Sequence, residues 1–129
     1  MWTDAWIGLP YAAGGRGPSF DCAGLVIALF AARHGVHVPD PTERLHDHAA
    51  ALAHEAPRWT QVTADEAREG DALVFREARP GKLHLGYAVN ARDMLHTGGG
   101  QGRRPSASRV ECWRVPTWEA LLMGVYRHG

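Results

Sequence analysis

The chain has 129 residues, of which 45% are hydrophobic and 22% are charged, and this is typical of one folded domain spanning residues 1–129. Lys plus Arg equals Asp plus Glu at 14 each, so no net charge attracts nucleic acid or an anionic membrane, and we expect neither as a partner. No run approaches about 18 apolar residues and no targeting signal is visible, so we expect no membrane span and synthesis in the cytoplasm without a signal peptide.

The first part of the chain is predicted to be helical. The predicted helices cover residues 1–9, residues 22–34 and an alanine-rich stretch at residues 42–54. Pro10 ends the first helix, and a glycine-rich loop follows at residues 12–19. Asp21 is a good N-cap for the second helix, and Gly35 suits its C-terminal end.

The second part of the chain switches to the period-two pattern of β-strands. The predicted strands cover residues 72–75, 83–89, 94–97, 110–115 and 122–127. Thr63 and Glu66 have the spacing of a capping box, residues 90–93 carry a turn signal, and residues 98–105 form a loop. Helices followed by a mainly antiparallel sheet predict an α+β fold.

Cys22 lies where the glycine-rich loop meets the second predicted helix. The positive end of a helix and its free N–H groups favour the thiolate, which is the nucleophilic form of cysteine. The alternative is a structural cysteine, because Leu25 and Val26 follow on a plausible core face. Cys112, in a strand-like run, is interpreted as structural. A Cys22–Cys112 disulfide stays open and would consume the nucleophile.

A cysteine nucleophile needs a base within hydrogen-bond reach, and His84 is the candidate base. Its neighbours on the same strand face, Gly86 and Ala88, are small and are expected to leave room for a substrate. The alternative is an ordinary surface histidine.

The base in turn needs an orienting partner, and His96 is the candidate. An odd-length hairpin loop at residues 90–92 would pair Val89 with Asp93 and set His96 across from Gly86. His84 and His96 would then be diagonal neighbours on one face, roughly 7 Å apart at the backbone. A two- or four-residue loop would separate them, so the hairpin register tests this hypothesis.

Two other histidine pairs have spacing seen in metal sites. They are His34 with His37 and His46 with His48. No cysteine or carboxylate cluster completes either pair, so we expect no metal and no other cofactor.

Taken in order, four segments resemble the NlpC-type family of bacterial cell-wall cysteine peptidases, which have a papain-like fold. They are Pro10–Gly15, Phe20–Val26, Gly70–Phe75 and His84–His96. The resemblance implies that Cys22 is the nucleophile and that His84 and His96 are the base and its orienter. It also implies that Tyr11 and the Cys22 backbone N–H line the oxyanion site. Ala23 departs from the family pattern, which usually has serine there.

The substrate that the resemblance implies is the peptide stem of peptidoglycan, commonly cut after D-glutamate and beside a diamino acid. Asp21 and Arg16, close to the nucleophile in sequence, are assigned with Tyr11 to the oxyanion and substrate region. Arg16, Arg103 and Arg104 lie in predicted loops and are candidates to bind stem carboxylates. The alternative is that all three are solvated charges.

The delivery of such an enzyme is a separate question. Members of the family often carry a signal peptide and a wall-binding domain, and neither is visible here, so we expect carriage by a bacteriophage tail or a related injection machine to the periplasm or cell wall. Exposed tryptophans and residues 98–105 are candidate docking elements. Two alternatives stay open: a structural tail-tip protein with the same fold, and a cytoplasmic amidase or acyltransferase acting on small amides.

Overall fold

The computed structural model describes residues 1–38, 59–77, 81–101 and 103–129. The helices are α1 (Cys22–His34) and the short α2 (Pro116–Glu119), with 3-10 turns at Trp2–Trp6 and Ala64–Glu66. The strands are β1 (Trp59–Val62), β2 (Ala72–Arg76), β3 (Leu83–Ala88), β4 (Asp93–His96), β5 (Arg109–Cys112) and β6 (Leu122–His128). The predicted α+β class is confirmed.

These strands form one sheet in the order β1-β6-β2-β3-β4-β5, with antiparallel pairing between all neighbours. The consecutive strands β2 to β5 form a meander, in which each strand pairs with the next. Strand β6 returns from beyond β5 and pairs between β1 and β2. The meander therefore carries both candidate histidines on adjacent strands.

Helix α1 begins and ends as its sequence predicts. The Asp21 carboxylate accepts a hydrogen bond from the Gly24 backbone N–H at 2.7 Å, which satisfies one of the free donors of the first turn. Gly35 ends the helix with a φ of 64°, in the left-handed region that glycine adopts at low cost. Cys22 is therefore held at the first position of α1.

Hydrophobic cores lie on both faces of the sheet. On one face the α1 residues Leu25 and Leu29 pack with Tyr87 and Leu95 of β3 and β4. The core of the other face contains the buried residues Leu73, Phe75, Ala88, Met94, Trp113 and Trp118. Burying a large apolar side chain contributes about 1.5–3 kcal/mol, so both layers hold the meander firmly.

Several elements differ from the sequence predictions. The first helix is only a 3-10 turn at Trp2–Trp6, and β5 ends at Cys112 rather than at Val115. Strand β1 and helix α2 were not predicted, although Pro116 stands at the favoured first turn of α2. The helix predicted at residues 42–54 lies outside the described residues. The capping box of Thr63 and Glu66 is confirmed.

Two of the tryptophans lie in the core and not at the surface. Trp113 is 0% exposed and Trp118 is 1% exposed, so these two tryptophans are core residues and are not available as exposed docking elements. In the described part of the chain, no helix combines the length and the apolar character that crossing a bilayer requires.

Candidate active site

The β3–β4 hairpin sets the positions of the two candidate histidines. Tyr87 pairs with Leu95 and Ala88 with Met94. The Val89 N–H donates to the Asp93 carbonyl at 2.9 Å, which closes the turn. The connection is thus the odd-length loop of residues 90–92, and the predicted register is confirmed.

The imidazoles of His84 and His96 meet on one face of this hairpin. The His84 Nε2 atom lies 2.8 Å from His96 Nδ1, and the two rings are nearly perpendicular at 89°. The side chains are 1% and 0% exposed, respectively. His84 is therefore not a surface histidine, and the two rings form one buried pair.

The space beside His84 on this face is filled by protein and not by a substrate cavity. A Cβ added at Gly86 would lie 2.7 Å from the Met94 sulfur, and Ala88 is fully buried in the core. The expectation that Gly86 and Ala88 leave room for a substrate is therefore wrong, because Met94 of the neighbouring strand fills the room. The small residues instead let the hairpin pack closely.

Glu111 on β5 extends the histidine pair. Its Oε1 atom lies 2.9 Å from His96 Nε2 and 3.0 Å from Arg103 Nη2, and Arg109 Nε is 3.6 Å away. Its Oε2 atom accepts a hydrogen bond from Trp118 Nε1 at 2.9 Å. Sequence reasoning missed Glu111, whose only signal was an acidic residue in a predicted strand.

The surroundings of this hydrogen-bonded pair favour a neutral His96 beside an ionised Glu111. Burial and the charges of His84 and Arg109 lower the pKa of His96 to about 3, because the contact with Glu111 opposes them only partly. Burial raises the pKa of Glu111, but hydrogen bonds from Trp118, Arg103 and His96 outweigh it and lower the pKa to about 2.

Trp118 and the 98–101 loop cover the outer side of His84. The Trp118 ring stacks on His84 with centroids 5.4 Å apart at 27°. Gly100 passes so close that a Cβ there would lie 2.5 Å from Trp118. Arg103 contacts Glu111 and lies over the Trp118 ring, so it holds the histidine network together, whereas Arg104 is exposed.

Cys22 reaches β3 at the residue after His84. The backbone of Leu85 and that of Ala23 hydrogen-bond the Cys22 sulfur. Burial, together with the charges of Asp21 and Glu77, nevertheless raises the pKa of the thiol to about 11. The expectation that the helix terminus favours a thiolate is wrong, because burial and two carboxylates outweigh it. Cys22 and Cys112 are both free thiols, so no disulfide joins them.

Glu77 joins the two halves of the site. Its Oε1 atom lies 3.6 Å from His84 Nδ1, the ring nitrogen that does not face His96. Its charge also raises the pKa of Cys22 and of Tyr11. The Glu77 carboxylate therefore contacts the outward nitrogen of His84, and its charge acts on the Cys22 thiol and the Tyr11 phenol.

Tyr11 is half-exposed. Its partial burial, and to a smaller extent the charges of Asp21 and Cys22, raise the pKa of its hydroxyl.

Asp21 and Arg16 form a structural contact next to Cys22. Arg16 Nη1 donates to Asp21 Oδ1 at 2.7 Å and to the Gly15 carbonyl at 2.8 Å. These contacts join the glycine-rich loop to α1, so Asp21 and Arg16 support the position of Cys22.

The histidine pairs considered for metal binding do not form a site where they are described. His34 Nε2 lies 2.7 Å from the Tyr87 hydroxyl, and His37 is exposed. His46 and His48 lie outside the described residues. Within residues 1–38, 59–77, 81–101 and 103–129, no group of three His, Cys, Asp or Glu side chains is arranged to hold a metal ion.

Comparison with known proteins shows the family of the chain. The family model described as "NlpC/P60 family" matches residues 8–122, which include Cys22, both histidines and Glu111. The chain belongs to the NlpC/P60 family. No curated protein matches the sequence.

Solved structures of NlpC/P60 proteins share the fold. The NlpC/p60 domain of the peptidoglycan hydrolase SagA is 22% identical with a TM-score of 0.63, covering 97% of this chain and 92% of that domain. A Bacillus cereus ATCC 10987 family protein is 20% identical with a TM-score of 0.70, and the match covers 97% of this chain and 37% of that protein. A lipoprotein-like family protein of Staphylococcus aureus Mu50 is 21% identical with a TM-score of 0.67, and the match covers 96% and 38%. The chain thus spans less than two fifths of the latter two proteins.

Proposed function

We propose that this NlpC/P60 protein is a cysteine endopeptidase that hydrolyses the peptide stems of bacterial peptidoglycan. Cys22 acts as the nucleophile, His84 as general base and acid, and His96 as the residue that orients His84. SagA, which shares the fold, is a peptidoglycan hydrolase, and this supports the substrate class.

One observation carries the proposal. The Cys22 sulfur is hydrogen-bonded by the backbone of Leu85, the residue that follows His84 on β3. The His84 ring turns one nitrogen to His96 at 2.8 Å and leaves Nδ1 on the side of Glu77, whose charge also acts on Cys22. A nucleophile, a base and an orienting group in this order are the requirements of acyl transfer through a covalent intermediate.

The raised pKa of Cys22 sets the form of the first step. A thiol whose pKa is about 11 is protonated at neutral pH, so His84 Nδ1 must take its proton as the sulfur attacks the scissile carbonyl carbon. The peptide C–N bond then breaks, and His84 gives the proton to the leaving amine. Water hydrolyses the thioester with His84 again as base, which restores the thiol.

The oxyanion that forms during attack needs hydrogen-bond donors. The Cys22 backbone N–H at the start of α1 and the Tyr11 hydroxyl are the donors that we assign to it. The Tyr11 hydroxyl, like that of any tyrosine, is protonated at neutral pH and can donate, and burial raises its pKa further. Each preorganised donor of this kind contributes about 3–4 kcal/mol to transition-state stabilisation.

The proposal is tested by digesting intact peptidoglycan and isolated stem peptides and identifying the fragments by mass spectrometry. Wild-type protein should release cleaved stem peptides, and Cys22→Ala should release none. Cys112→Ala is the matched control, since Cys112 is the other free thiol and lies on β5 away from α1. The control should cleave like wild type.

Other outcomes would replace the proposal. Equal cleavage by wild type and Cys22→Ala would exclude the cysteine mechanism. Cleavage of small peptides without cleavage of intact wall would favour an amidase or acyltransferase. A folded wild-type protein that cleaves neither substrate would favour the structural tail-tip role.

Delivery by a bacteriophage tail or an injection machine stays a prediction from the sequence. It would be tested by mass spectrometry of purified virions or secretion particles alongside the cytosol of the producing cell. Recovery only as a free cytosolic protein would contradict it.

A further inference from the structure

The histidine pair continues into a third polar group that the proposed mechanism does not use. His84 Nε2, His96 Nδ1, His96 Nε2 and Glu111 Oε1 follow one another through contacts of 2.8 and 2.9 Å. His84 and His96 are almost completely buried, so each of these contacts must contain a proton to be favourable.

The Glu111 carboxylate, at one end of this series of hydrogen bonds, determines where each proton lies. An ionised carboxylate only accepts hydrogen bonds, so the contact between Glu111 and His96 requires the proton on His96 Nε2. A neutral imidazole carries one proton, so His96 Nδ1 then has a lone pair. The contact between the two rings therefore requires the proton on His84 Nε2.

The consequence appears at the far nitrogen of His84. With its proton on Nε2, a neutral His84 ring presents a lone pair at Nδ1, the nitrogen that lies 3.6 Å from Glu77 Oε1. We propose that Glu111 is a positioning residue that fixes the tautomers of His96 and His84, so that Nδ1 of His84 is the basic atom. The effect of this on catalysis rests on the proposed function.

The surroundings of Glu111 show that its carboxylate is held rather than free to rotate. Trp118 donates to Oε2, and Arg103 donates to the same Oε1 atom that faces His96. Both partners donate and neither accepts, so Glu111 stays an acceptor towards His96. Trp118 also stacks on His84, so one tryptophan contacts both His84 and Glu111, the two ends of the hydrogen-bond series.

The tautomers can be measured without any substrate. Long-range ¹H–¹⁵N correlation of the imidazole rings at neutral pH distinguishes a protonated nitrogen from one with a lone pair. In wild type we expect both His84 and His96 to carry their proton on Nε2. A proton on Nδ1 of His96 would overturn the proposal.

Substitution of Glu111 gives the second test. Glu111→Leu removes the acceptor and should give mixed or inverted tautomers of His96. Glu111→Gln keeps one acceptor oxygen and should show a smaller change. Glu69→Gln is the matched control, because the Glu69 side chain is similarly exposed (34% against 27%) and is also bound to an arginine, Arg33. It should leave the tautomers unchanged.

Kinetics would separate positioning from binding. Loss of the orienting group should lower kcat roughly 10- to 100-fold in Glu111→Leu with little change in KM. Glu111→Gln should recover part of that loss. A folded Glu111→Leu protein with wild-type tautomers, or with unchanged kcat, would overturn the inference.

The two proposals fail separately. A wild-type protein with the expected tautomers but no cleavage of peptidoglycan would contradict the proposed function and support the role of Glu111. A wild-type protein that cleaves peptidoglycan, with tautomers that do not change in Glu111→Leu, would support the proposed function and contradict the role of Glu111.

Discussion

The resting state of Cys22 is the most informative property to measure. With a pKa of about 11, only about one thiol in 10⁴ is ionised at pH 7, against about 3% of free cysteine with its pKa near 8.5. The more basic thiolate is intrinsically more nucleophilic, which offsets about tenfold of this difference of roughly 300-fold. Alkylation of Cys22 by iodoacetamide at pH 7 should therefore be about 30-fold slower than alkylation of free cysteine.

The assay follows alkylation by mass spectrometry across the pH range in a Cys112→Ala background, so that only Cys22 reports. The rate should rise about tenfold per pH unit from pH 7 to 10, with its midpoint near 11. Glu77→Gln should lower the midpoint, because the Glu77 charge opposes the thiolate. The same labelling of urea-unfolded protein gives the reference for a solvated thiol.

His84→Ala distinguishes this state from a thiolate–imidazolium ion pair. If burial sets the pKa of the Cys22 thiol, removing His84 should leave the midpoint of the alkylation rate within about one pH unit of the wild-type value. Histidine-paired thiols at helix termini ionise at roughly pH 3.5–7.5. Two results together would refute the role of burial: an alkylation rate that is already constant above pH 7 in wild type, and a midpoint that His84→Ala shifts by several pH units.

Three further predictions concern stability, each measured as the free energy of unfolding in urea. Gly24→Ala should destabilise the protein by about 1–3 kcal/mol despite the better helix propensity of alanine, since its Cβ would press on the backbone carbonyl of Gly15; a stabilised variant would contradict the packing. Asp71→Asn should cost about 1.5–3 kcal/mol, because Asp71 is 1% exposed and loses the charge of a carboxylate that receives two hydrogen bonds of 2.9 Å from Arg127; a cost under about 0.5 kcal/mol would contradict this. Burial raises the pKa of Cys22 to about 11 in the folded state, against about 8.5 for a solvated cysteine, so wild type should lose roughly 3 kcal/mol relative to Cys22→Ala as pH rises from 8 to 11, with little such difference below pH 8.

The local features of the site could be predicted from the sequence. Asp21 and Gly35 mark the ends of α1, so the position of Cys22 at its first turn followed from neighbouring residues alone. The facing of His84 and His96 depended on one hairpin turn, whose length fixes which residues share a face. Short-range geometry of this kind is determined within a few residues of chain.

The parts that escaped prediction depend on contacts distant in sequence. Glu111 reaches His96 because β5 pairs with β4 after a long connection, whose register no local pattern determines. The room expected beside Gly86 is filled by Met94, which required knowing how both strands pack. The ionisation of Cys22 was misjudged for a similar reason, because its burial and its proximity to Glu77 arise from the assembled fold.

The interior place of β6 has a consequence for biosynthesis. Strand β2 emerges from the ribosome well before residues 122–128, yet one of its two edges pairs only with them. The nascent chain therefore exposes an unpaired edge through the whole synthesis of β3 to β5, and such edges promote aggregation. A protein arranged in this way cannot complete its sheet until translation has passed residues 122–128, which fill the last interior position.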